Sequence, residues 1–151
     1  RHINADMTRS PDASRPVTRA LKAGIAYFVV VFALAFAMGV LRVLVLVPRL
    51  GEVAAVLIEV PLIVAASWWV CTRAMTRWQV GNATRDRLLM GACAFGLLIA
   101  IEWALSVTAF GRTSAQFAKA MFTPAGAIGL AGQVVFGLMP LLLRSRQTGR
   151  G

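Results

Sequence analysis

Histidine is nearly missing from this sequence. Its one copy, His2, lies in a charged stretch at the start, so no imidazole serves the body of the chain as base or metal ligand. Cysteine is almost as scarce, with Cys71 and Cys93 alone, and no zinc spacing can be built from two. Acidic residues number six. Ser67, Ser106 and Thr108 have no histidine to activate them, so a nucleophile–base pair is excluded. No phosphate-binding loop, dinucleotide fingerprint or nucleophile elbow occurs. These absences predict a protein that is no enzyme and carries no cofactor and no metal.

What the sequence has in quantity is apolar length. Of 151 residues, 58% are hydrophobic, and the mean hydropathy is +0.72. A soluble domain is closer to half apolar. Four stretches, at about 23–47, 53–72, 88–110 and 124–143, approach the ~20 residues a bilayer-spanning helix needs. Backbone groups cannot stay unpaired in lipid, so apolar runs of this length must be helical. Buried helices of a soluble bundle would show polar faces, and these stretches are apolar nearly all round. The expected fold class is all-α, an integral membrane four-helix bundle with the lipid bilayer as its surroundings.

A net charge of +10 invites a nucleic-acid partner, but the placement of the charges argues otherwise. Arg1, Arg9, Arg15, Arg19 and Lys22 precede the first span. Arg73, Arg77, Arg85 and Arg87 separate the second from the third, and Arg144, Arg146 and Arg150 follow the fourth. Twelve of the 16 basic residues thus fall on one side, against Arg49, Arg112 and Lys119 on the other. This is the positive-inside pattern, and it predicts cytoplasmic termini in a bacterial inner membrane. Attraction to anionic lipid is a generic consequence.

The domain is expected at 20–143, between a disordered basic tail at 1–19 and a basic cytoplasmic tail at 144–151. The chain starts with Arg1, and Met7 offers an alternative start. The apolar run beyond Ala35-Phe36-Ala37 continues to Val47, too long for a cleaved leader, so an uncleaved first span is expected. Pro48 is expected to stop the first helix and Gly51 to permit a tight outer hairpin. Both cysteines lie toward the cytoplasmic side and are expected as free thiols. Thr113 and Gln116 have capping-box spacing, predicting a short interfacial helix over about 114–121. Thr123-Pro124 reads as N-cap and first-turn proline of the last span.

The candidate functional residues are polar groups at membrane depth, which are costly and usually face a protein interior. Arg42 and Glu59 each lie roughly 9 Å inside their helices, on either side of the outer hairpin. They can therefore meet. Glu102 lies roughly 12 Å deep, with Ser106 one turn above it, and Gln133 roughly 14 Å deep. Four polar side chains from four helices thus fall at similar depth. One arginine faces two glutamates, so Glu102 is left over: neutral and donating to Gln133 it would be structural, and titrating it would be functional. Small residues mark close helix approach: Ala35 with Gly39 on the first span, and Ala125, Gly126, Gly129 and Gly132 on the fourth. They serve packing within the bundle, or contact with a homo-oligomer or larger membrane complex.

The runs Gly24-Ile-Ala-Tyr-Phe, Gly39-Val-Leu-Arg42, Pro48-Arg-Leu-Gly51-Glu52 and Ile58-Glu59-Val-Pro61 resemble a family of small four-span bacterial inner-membrane proteins with no assigned activity. The resemblance covers residues 20–143, and implies a fold but no catalytic residue. The small multidrug transporters also have four spans and a membrane glutamate, but theirs is in the first span, where this chain has Arg42. Two roles fit these residues. The first is an accessory or structural membrane subunit fixed by a buried Arg–Glu clasp. The alternative is a small proton- or ion-coupled transporter or channel using Glu59 and Glu102.

Overall fold

In a computed structural model, residues 14–143 are described, and every element among them is helical. Helix α1 (Ser14–Leu41) runs through a π-helical segment (Arg42–Leu46) into α2 (Val47–Leu50). Then come α3 (Glu52–Arg77), α4 (Thr84–Thr108), the short α5 (Ser114–Ala120) and α6 (Pro124–Leu142). Four runs are long and apolar enough to cross a membrane: Arg15–Leu50, Glu52–Arg77, Thr84–Thr108 and Pro124–Leu142.

Two boundaries differ from expectation. The tail expected to be disordered to residue 19 is helical from Ser14. Pro16 does not prevent this, because a first-turn proline lacks only an N–H that would have had no helical partner. The rest of that tail, and the basic segment 144–151, lie outside the described residues. Pro48 does not stop the first helix either. It has no N–H for the carbonyl of Leu44, and its ring would crowd that group. The backbone accommodates it by widening into π turns just ahead, where the Val47 N–H bonds to the Arg42 carbonyl, five residues back. The helix resumes and ends at Gly51, whose φ of +81° an L side chain would resist. One residue separates α2 from α3.

Helices α1 and α6 each pack on both α3 and α4, so α1 and α6 stand on a diagonal. The core is not spread evenly along the bundle. It gathers at the end holding the α3–α4 loop and the beginning of α1, here the tail end. Ala20, Ala23 and Tyr27 of α1 meet Val70, Cys71 and Ala74 of α3, Met90 and Ala94 of α4, and Phe136 and Met139 of α6. Both cysteines are free, Cys71 buried and Cys93 half-buried. Glycines permit the tight crossings. A Cβ on Gly24 would stand 2.7 Å from the Met90 carbonyl oxygen, and one on Gly91 would overlap the Gly137 carbonyl.

Two polar contacts lock this end. Pro140 lies inside α6 and leaves the Phe136 carbonyl without its helical donor. The Tyr27 hydroxyl donates to that carbonyl at 3.0 Å, and the two rings stack with centroids 4.4 Å apart. Arg87, only 5% exposed, donates to the carbonyls of Pro140 and Leu143 and to the Asn82 side chain at 2.6 Å. It thereby caps the end of α6, where carbonyls lack intrahelical donors and a cation suits the helix dipole.

Candidate functional site

At the opposite, hairpin end the bundle holds a cavity of about 1160 Å³. Arg42, Glu59, Glu102 and Gln133 all line it. Arg42 opens the π-helical segment, and Glu59 lies two turns into α3. The Arg42 Nε lies 2.7 Å from Glu59 Oε2, with the side chains 28% and 12% exposed. The Nε–H is not aligned on the carboxylate and has no hydrogen-bond partner, so the contact is an ion pair by proximity. On the other wall, Gln133 Nε2 donates to both oxygens of Glu102, at 2.8 and 2.7 Å.

The four residues expected at one depth therefore form two pairs. Each pair joins neighbouring helices, and no hydrogen bond or ion pair links the two. Glu59 has a cation beside it. Glu102 has only a neutral amide, which stabilises a carboxylate through hydrogen bonds without neutralising it. One turn from Glu102, Ser106 is 6% exposed and lines the same cavity. Its hydroxyl has no partner. A buried hydroxyl left unpaired is costly, and such groups are rare in folded proteins.

The rim and walls come from distinct elements. Helix α5 roofs one side, contributing Phe117. It is only seven residues long and would not persist alone, so its ends are fixed by side chains. Thr113 Oγ1 accepts from the Gln116 N–H, and Gln116 Oε1 accepts from the Thr113 N–H, closing a capping box. Trp103 Nε1 donates to Ser114 Oγ at 3.0 Å. Thr123 caps α6 by accepting from the Gly126 N–H at 3.1 Å. Exposed Glu52, Arg112 and Lys119 stand at the rim, and Phe32, Phe36, Phe110 and Phe136 give aromatic walls and floor.

The small residues divide into two groups. Gly126 and Gly132 do sit at close approaches. A Cβ on Gly132 would lie 2.8 Å from Val60 Cγ1, and one on Gly126 would overlap the Ala120 carbonyl. Ala125 is buried beside the end of the roof. Gly129 departs from the packing expected of it: nothing lies within 4 Å of a Cβ there. Gly39 meets only Glu59 Oε1, at 3.9 Å, and both it and Ala35 line the cavity. These three positions widen the space instead of closing it.

Several residues that shape the site gave no signal in the sequence argument. The phenylalanines at 32, 36, 110 and 136 carried no signal of a cavity wall, because apolar residues surround each of them. Arg87 read as a topogenic charge in a loop. Tyr27 could have been found, since it is the lone tyrosine in an apolar run and Pro140 announces a free carbonyl. Comparison with protein-family models, with curated proteins and with solved structures finds no match.

Proposed function

We propose that the chain is a multi-pass protein of the bacterial inner membrane that takes a solute into the hairpin-end cavity and carries it across. The uneven packing of the bundle supports this reading. An architectural clasp would draw the four helices together at the level of its charges. Here α3 and α6 do meet, Gly132 against Val60, yet a cavity of about 1160 Å³ opens beside the charges, and an empty volume forfeits dispersion contacts that a purely structural bundle would retain. The basic asymmetry orients the cavity away from the cytoplasm. Phe136 lines the cavity and stacks on the buried Tyr27, and the packed core on that side favours a carrier open on one side over a continuous pore.

A second reading, the accessory subunit, has its own support. Only 6% of the most apolar window of the first run is buried, and Leu34 and Leu41, which do not line the cavity, are 44% and 47% exposed. A second copy or a partner helix could cover that face, as lipid does. Liposomes loaded with a pH-sensitive dye separate the two. The carrier reading expects proton or cation flux above that of empty liposomes, lost in Glu102→Gln while the protein stays folded. Absence of flux, with a partner retained in mild detergent and released by Leu41→Ala, would replace it with the subunit reading.

A further inference from the structure

We propose that the solute of this cavity is a monovalent organic cation with an apolar body, and that Glu102 is its counter-ion. The inference rests on the carrier reading and adds the class of solute. It begins with charge. Beneath the rim the cavity holds one cation, Arg42, and two carboxylates, Glu59 and Glu102. Arg42 is committed to Glu59 at 2.7 Å. Glu102 faces only the Gln133 amide, so when ionised it leaves the deep part of the cavity with one uncompensated negative charge. Arg112 and Lys119 have the opposite sign, but they are exposed at the rim together with Glu52, where solvent and salt screen them.

Ser106 points to a ligand independently. Its hydroxyl is nine-tenths buried, unpartnered, and one turn from Glu102 on the cavity wall. A polar group or a water carried by the solute would satisfy it. The walls argue for an organic body. Phe32, Phe36, Phe110, Phe117 and Phe136 line the cavity, and aromatic faces attract cations when water is excluded. Among the described residues no three of His, Cys, Asp and Glu converge, so a chelated metal ion lacks its ligands. A volume of about 1160 Å³ lies just above the usual range of drug-sized sites and far beyond one inorganic ion.

The test uses two probes of nearly equal shape and opposite charge, tetraphenylphosphonium and tetraphenylborate. Each is titrated onto the full chain in mild detergent. The cation should bind and the anion should not. Glu102→Gln should weaken cation binding by about thirtyfold or more, the scale for losing one partner of a desolvated charge pair. Glu102→Asp, which keeps the charge, should retain most of the affinity and guards against a folding artefact. Asp86→Asn, which removes one negative charge in the first turn of α4 outside the cavity, should bind within about threefold of the parent. Preference for the borate, binding of neither probe, or indifference to Glu102→Gln would overturn the cation class and leave the carrier reading to the flux assay. Cation binding that survives Gly129→Phe undiminished would place the site outside the cavity and overturn both.

Discussion

At the scale of single residues, the bundle uses charge where apolar side chains would pack more cheaply. Arg42 and Glu59 sit in a partly buried setting where two ions lose hydration and regain it only through each other. Removing one partner should therefore cost more than removing both. Glu59→Gln is expected to destabilise the protein in detergent by about 3 kcal/mol, the low end for a buried pair because Arg42 is 28% exposed. Arg42→Gln/Glu59→Gln should recover part of that loss. Additive losses across the cycle, read from thermal unfolding, would mean that the 2.7 Å approach carries no coupling. The possibility of this pair was legible in the sequence, because equal depth on two sides of a short hairpin brings side chains together. Its partition from Glu102 and Gln133 was not. Depth gives a level along the bundle axis but no position around it, and helix order decides which walls face each other.

At the scale of elements, glycine decides how closely helices approach, and it acts in opposite ways at different positions. A Cβ on Gly91 would overlap the Gly137 carbonyl, while one on Gly129 would enter open space. Gly91→Ala should thus lower stability by about 1–3 kcal/mol, through a forced shift of α4 against α6. Gly129→Ala should raise it by up to about 1 kcal/mol, since alanine favours a helix interior and meets nothing there. Equal effects of the two changes on the unfolding temperature would contradict the assignment of one to a crossing and the other to the cavity. The sequence could mark both as small residues in apolar helices and could go no further. Spacing such as that of Gly126, Gly129 and Gly132 shows that a helix can approach a neighbour, without showing which glycine meets one. Pro48 teaches the same lesson in reverse. Proline usually ends a helix, but a π-helical widening upstream let this one continue to Gly51.

At the scale of the whole molecule, one asymmetry organises the rest. The tail end is welded by Tyr27 to the carbonyl that Pro140 frees, and by Arg87 to the end of α6. The hairpin end holds a cavity lined by two polar pairs and roofed on one side by α5. Four membrane-length helices were readable from hydropathy alone, since apolar length is a one-dimensional property. The uneven packing was not readable, because apolar residues facing lipid, core and cavity look alike in a sequence. The most direct measurement of this asymmetry is cysteine access in the intact membrane. With Cys71 and Cys93 replaced by alanine, single cysteines are placed at Gly129→Cys in the cavity and at Ser67→Cys, which is 1% exposed near the closed end. A membrane-impermeant maleimide should label Gly129→Cys from the side opposite the termini and leave Ser67→Cys untouched from either side. Labelling of Ser67→Cys as fast as Gly129→Cys, or protection of Gly129→Cys from both sides, would contradict a bundle closed at one end and open at the other.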